Sequence, residues 1–259
     1  MIRFLGHACF YFKFDDISIV MDPWFSKTGA FLGSWHQFPD NSDLDAEWKE
    51  DLDYVCITHE HQDHLDIEWL QTLNEKTKII IPEYDDRYLA DLLEQKISND
   101  VVELPNKNKY IIGEGFTICP VIQSVPIWDD CTYIIETPTM GTFVNMNDMK
   151  AVADDLTWIR DNCKEINYLA IQFSGANWHP MVYDYSHEKK TKIAKKKIET
   201  KYKKVFSLMK DLNISNVLPC AGPACFLSEE QFHLNFSDYS IFPTQADFYE
   251  YTQNQKDVL

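Results

Sequence analysis

The stretch Thr58-His59-Glu60-His61-Gln62-Asp63-His64-Leu65-Asp66 constrains this chain more than any other. Three imidazoles and the carboxylate of Asp63 fall within the six residues from His59 to His64, just after the apolar, strand-like run Tyr54-Val55-Cys56-Ile57. A strand ending in such a cluster delivers its side chains to one rim of a sheet. Neutral imidazole and carboxylate are the donors that borderline and hard divalent metals take. His59 and His61, two apart on a tight turn, can point the same way and share one ion, while Asp63 and His64 face a second. The competing reading is a polar loop whose histidines only cap backbone groups, and it does not require this spacing.

Two other carboxylates are left at strand ends. Pro23 cannot continue a ladder, so Asp22 of Asp22-Pro23-Trp24 terminates its strand. It either orients a metal-binding imidazole or is a plain turn carboxylate. Asp148 follows the strand Thr142-Phe143-Val144 and either joins the metals or caps a helix near 151–162. His7, at the mouth of the first hairpin, is a ligand or a hydrogen-bonding partner of one. Residues 24–50 have no sustained period and carry Trp24, Phe25, Phe31, Trp35, Phe38 and Trp48. Such a long aromatic loop is a lid over the site or is pinned to the core, and His36 within it is a candidate catalytic residue. His179, in the loop Ser174 to Met181 where Gly175 allows a turn, is either a second catalytic acid/base candidate or a surface residue.

Periodicity predicts two short strands within residues 2–21, then strands at Ile79–Pro82, 101–102, 110–112, Phe116–Val125, Cys131–Glu136, Gly141–Met146, Tyr168–Phe173 and Ile214–Leu218. Helices are predicted at 67–73, 87–96, 151–162 and 188–212, with a short capped one from Ser228. Strand-rich halves with helices between them predict an α/β architecture of two facing sheets with helices outside. No repeat or linker divides the 259 residues, so one domain spanning 1–259 is expected. The net charge of −17 argues against a protein that tracks nucleic acid, though not against a small phosphorylated substrate. Nine lysines from Lys189 to Lys204 run against that balance, as a solvated face or as attraction for an anion. With no Cys-x-x-Cys pair, no cleavable signal and no apolar run of membrane length, a reduced, cytoplasmic protein that does not enter membranes is expected.

The His-x-His-x-Asp-His pattern after a strand resembles the signature of the metallo-β-lactamase superfamily, which implies a four-layer αββα fold. In that superfamily an Asp at the position of Asp148 bridges both metals. Hydrolytic members usually add two further histidines, yet none lies in Gly113–Glu136 or in Ser215–Phe226. Gln123, Asp129 and Asp130 stand in the first window and Cys220 in the second; Asp130 is the best remaining ligand candidate. An oxygen-rich, partly open dinuclear site suits iron or manganese better than a closed zinc site. Further matches are His7-Ala8-Cys9, Asp22-Pro23-Trp24, Trp35 to Pro39, Asp130-Cys131, Asn147-Asp148, Phe173 to Ala176 with Pro180-Met181, and Pro219 to Gly222. With these, the chain resembles the metallo-β-lactamase-type domain of the CMP-N-acetylneuraminic acid hydroxylases and their bacterial relatives. That resemblance implies oxygen-dependent hydroxylation of a nucleotide-linked sugar. The Rieske pattern Cys-x-His…Cys-x-x-His is absent, so electrons would come from a separate ferredoxin or Rieske-type protein. The alternative is a hydrolase of a phosphodiester, lactone or amide using a metal-bound hydroxide.

Overall fold

Most strands of the first half of the chain are near-continuous apolar runs, buried over most of their length, and the structure gathers them into one sheet. A computed structural model describes residues 1–45, 47–125, 129–163 and 165–254. Strands β1 (Ile2–Gly6), β2 (Cys9–Phe14) and β3 (Ile17–Met21) form an antiparallel meander. β4 (Tyr54–Cys56), β5 (Lys78–Pro82) and β6 (Val101–Leu104) then add in parallel, in the order β1-β2-β3-β4-β5-β6. Helices α1 (Ile67–Leu70) and α2 (Tyr88–Lys96) connect them. The second sheet repeats the scheme. β7 (Tyr110–Gly113), β8 (Phe116–Ile122), β9 (Cys131–Thr137) and β10 (Gly141–Asn147) are antiparallel. β11 (Tyr168–Gln172) and β12 (Val217–Cys220) join in parallel beyond β10. Helices α3 (Ala153–Asn162), α4 (His187–Asp211) and α5 (Gln245–Gln253) belong to this half.

The main core lies between the sheets. Phe10, Phe12, Ile19, Val55 and Ile80 of the first meet Ile118, Tyr133, Ile135 and Phe143 of the second. A second core joins Val121, Ile134, Val144, Leu169 and Ile171, on the outer face of the second sheet, to Tyr202, Val205, Leu208 and Met209 of α4 and Phe248 of α5. Leu89, Ala90 and Leu93 of α2 close the first sheet on its outer side. The arrangement is the expected two mixed sheets with helices outside.

Several boundaries differ from expectation. Residues 2–21 make three strands rather than two, because Gly6 (φ 107°) and His7 (φ 48°) turn the chain in the left-handed region and free Ile2–Gly6 to pair with β2. The last strand starts at Val217 rather than Ile214, after Asn213 (φ 54°) turns the chain out of α4. Ser228 opens only a turn, followed by a 3-10 helix at Phe232–Phe236. Gly175 is needed for proximity rather than for a left-handed turn: a Cβ there would lie 2.5 Å from Ile241 Cδ1.

Topology decides what meets at one rim. β3, β4, β10, β11 and β12 run so that their C-terminal ends lie together, and antiparallel β9 brings its N-terminal end there. Tyr133 Oη donates to Ile57 O across the sheets at 3.1 Å, and Ala221 N to His7 O at 2.8 Å, so the two rims form one mouth. Asp22, the 58–64 segment, Asp130, Asp148 and Gln172 all sit on it.

Candidate metal centre

Asp22 is the hub of the site although it faces no candidate ion directly. Its carboxylate is buried, and it accepts from Thr58 N (2.8 Å), Thr58 Oγ1 (2.9 and 3.0 Å) and His64 Nδ1 (3.0 Å). A carboxylate here only accepts, so His64 carries its proton on Nδ1 and turns Nε2 into the mouth. The single Thr58 hydroxyl proton goes to Asp22. His59 Nδ1, 2.9 Å from Thr58 Oγ1, therefore donates to it and leaves Nε2 as the free lone pair. One carboxylate thus sets the tautomer of two histidines, the arrangement by which metal-binding imidazoles are oriented.

Two convergences result. His59 Nε2 lies 2.8 Å from His61 Nδ1 and 3.7 Å from Asp130 Oδ1. His64 Nε2 lies 3.9 Å from Asp63 Oδ2 and 3.7 Å from Asp148 Oδ1. Ligand atoms of His59, His64 and Asp148 all fall within 4.8 Å of one another, as do those of His7, Asp63 and His64. His7 joins through Nε2, 2.9 Å from Asp63 Oδ2, while its ring meets Trp24 edge-on. The donors fit a metal on two grounds. His64 Nε2 and Asp63 Oδ1 are buried without a hydrogen-bond partner, which a folded protein tolerates only where something else satisfies them. The donor set is imidazole and carboxylate, the chemistry divalent ions require.

Charge is tightly balanced at the mouth. Burial, then His64 and His61, holds the His59 imidazole well below its ordinary value, hence neutral and able to ligate. Burial opposes charge on His64 too, but Asp63, Asp22 and Asp148 lift it to about 10. Burial likewise resists ionisation of Asp63, and the His64 and His7 imidazoles overcome it, holding that carboxyl below its usual range. Asp130 is pushed up to about 6 by burial and then by Asp148. His7, Asp22, Asn147 and Ala221 on this rim all have positive φ, at about 1–3 kcal/mol each.

The mouth therefore collects His59, His61, Asp63, His64, Asp130 and Asp148. Asp148 caps no helix: α3 starts after Val152, whose N–H is taken by Asp155. Asp148 Oδ1 instead accepts from Gln172 Nε2 at 2.7 Å. Gln123 accepts from Lys150 N, a structural bond. The contacts of His36 and His179 are with residues outside this set. His36 Nε2 bonds Gly33 O at 3.1 Å, and its backbone pairs with Cys225 beside a 650 Å³ apolar cavity under Phe226, Phe236 and Phe242. His179 packs edge-on against Tyr183 and Tyr185. The two loops that hold them are anchored by contacts no sequence spacing encodes. In the aromatic loop Trp24, Phe25, Trp35 and Trp48 are buried against the core, while Phe31 donates its N–H to Gln62 Oε1 and its ring stands 6.2 Å from the His61 ring. Sequence reasoning left His7 undecided and missed Gln172 and Lys201. A glutamine closing the strand next to that of Asp148 was the available signal.

Residues 1–120 match the model of the beta-lactamase superfamily domain. A Rieske 2Fe-2S iron-sulfur protein of Mycolicibacterium smegmatis, so named, is 31% identical over 95% of this chain and 48% of its own length. The chain thus spans about half the length of the curated relatives it matches. The cytidine monophosphate-N-acetylneuraminic acid hydroxylase of Cricetulus griseus is 34% identical over 80 residues, 29% of this chain and 13% of that protein. Among solved structures, the diiron β-hydroxylase CmlA from Streptomyces venezuelae superposes with a TM-score of 0.60 at 13% identity, over 93% of this chain and 46% of that one. The metallo hydrolase Igni18 from Ignicoccus hospitalis gives 0.60 at 16% identity, over 98% and 91%. With its first 120 residues matching that domain, its paired six-stranded sheets and these neighbours, the chain has the metallo-β-lactamase fold.

Proposed function

We propose that this chain is a dinuclear-metal enzyme, a di-iron oxygenase that hydroxylates a polar small molecule of nucleotide-sugar type. The observation that carries the reading is the donor set. Asp130 and Asp148 bring carboxylate to the two histidine convergences, and no histidine stands in the two windows where hydrolases of this superfamily usually supply one. Oxygen donors favour iron or manganese over zinc. His59, His61 and Asp130 would hold one ion, Asp63 and His64 the other, with Asp148 between them. His7 is positioned to orient Asp63. A reduced iron pair supplies oxygen activation when bound. The chain's own residues fix the imidazole tautomers through Asp22 and Thr58, and hold Asp148 through Gln172. Phe31 screens the His61 side of the mouth. Electrons would come from a Rieske-type or ferredoxin partner, a reading supported by the name and double length of the relatives. The seven cysteines are free thiols, which suits the cytoplasm.

A hydrolase is the second reading, favoured by the fold shared with Igni18. Protein produced with ample iron decides between them. The oxygenase should carry about two irons per chain, show near-ultraviolet bands that reductant bleaches, and consume oxygen only with both reductant and substrate. Preference for zinc in a metal mixture, with anaerobic cleavage of a phosphodiester, establishes the hydrolase instead.

A further inference from the structure

Helix α4 turns part of its lysine run inward, onto the segment that leaves β11. Lys190 Nζ donates to Met181 O at 2.9 Å. Lys197 Nζ donates to Asn177 Oδ1 at 2.8 Å and to His179 O at 2.7 Å. One turn later, Lys201 Nζ donates to Oε1 of Gln172, the last residue of β11. No carboxylate lies within ion-pair distance of Lys201 among the described residues. Burial, reinforced by Lys204 and Lys150 and opposed by Asp148, pulls its ammonium down to about 8. A lysine held there at the expense of hydration has a specific contact to make.

That contact decides which way Gln172 faces. An ammonium only donates, so the amide oxygen must face Lys201, and the amide nitrogen is then directed at Asp148 Oδ1, 2.7 Å away. Asp148 Oδ1 is the atom that stands 3.7 Å from His64 Nε2. With Lys201 removed, nothing in that contact prevents the amide from turning its oxygen toward the carboxylate. We propose that Lys201 is a positioning residue of the metal centre, which orients the Gln172 amide so that its N–H holds Asp148 on the ions. This rests on Asp148 being a metal carboxylate.

The test uses full-length protein produced in cobalt-supplemented medium and dialysed against graded chelator, with cobalt per chain and the visible spectrum as readouts. Loss of a partner that orients a ligand weakens metal binding about 10–100-fold. Lys201→Met should release the more labile cobalt at about tenfold lower chelator and shift its visible band, leaving the tighter ion in place. Lys201→Arg keeps the donors and should stay nearer the parent. The double variant Lys201→Met/Gln172→Leu should be no weaker than Gln172→Leu alone, because the lysine acts through the glutamine; a merely structural lysine would add its own loss. Gln172→Glu keeps the lysine contact but turns an acceptor on Asp148, and should reproduce the loss even if Lys201→Met fails to fold. Parent-like retention in Lys201→Met or Gln172→Glu, or additive losses, overturns the proposal alone. A parent whose cobalt is indifferent to Asp148→Asn overturns the reading beneath it as well.

Discussion

Residue by residue, the centre is built from groups that cannot choose their own protonation. His64 lies between Asp22, Asp63 and Asp148, which lift it to about 10 from an ordinary 6.5. A raised imidazole value contributes stability to the metal-free fold that is fully present below pH 6.5 and is lost as pH rises through about 10. At pH 7.5 an ion can take His64 Nε2 only as a proton leaves, whereas His59 is already neutral. Metal uptake at that pH should release about one proton per chain from His64, read by calorimetry in buffers of different protonation enthalpy. Uptake without proton release would show that His64 is no ligand. His61→Ala should cost at least one metal equivalent by elemental analysis, since His61 supplies one of the two imidazoles of its convergence. Asp148→Asn should weaken the second ion more than the first and abolish activity. Unchanged metal content in both variants would remove the centre from this reading.

At the scale of elements, β10 and α4 matter most. Asp148 directly follows β10, whose position depends on Phe143, fully buried with its ring 5.3 Å from Phe10 and 5.1 Å from Phe12 across the sheets. Phe143→Ala should destabilise the protein by about 3–5 kcal/mol, from lost burial and the cavity left behind. A denaturant midpoint within error of the parent would mean that the sheets do not depend on this contact. α4 packs Tyr202, Val205 and Met209 on the second sheet, while Lys190 and Lys197 bind the segment beyond β11 and Lys201 binds Gln172 at its end. The basic run is thus divided: some lysines face solvent and others hold the end of β11 and the segment after it. The aromatic loop is held by Asp66, which accepts from Phe25 N (2.8 Å), Ser26 N (2.7 Å) and Trp69 N (3.0 Å), tying the loop to the start of α1.

At the scale of the whole molecule, both sheets direct their parallel strands toward one mouth, and that mouth is where the carboxylates and imidazoles accumulate. No helix among the described residues is long and apolar enough to cross a membrane. The chain spans about half of relatives that bear a Rieske name. If electrons arrive from a separate protein, oxygen uptake with substrate should be slow with a chemical reductant alone and rise when a reduced Rieske-type protein is added. Equal rates with and without that protein would exclude the partner.

The sequence alone determined what is local. The candidate ligands His59, His61, Asp63 and His64 lie within six residues, so spacing by itself constrains their geometry. Apolar runs specified most strands, and with them Asp22 and Asp148 as strand-end carboxylates. Tertiary structure decided everything that depends on distance. His7 reaches Asp63 across 56 residues and Asp22 reaches His64 across 42, pairings set by strand order and not by spacing. Gln172 and Lys201 come together only because α4 packs against the sheet that holds β11. For the same reason His36 and His179 make their contacts with Gly33 and with Tyr183 and Tyr185. A histidine in a long loop has no spacing to hold it to a site, and the contacts that anchor the loop decide what it touches.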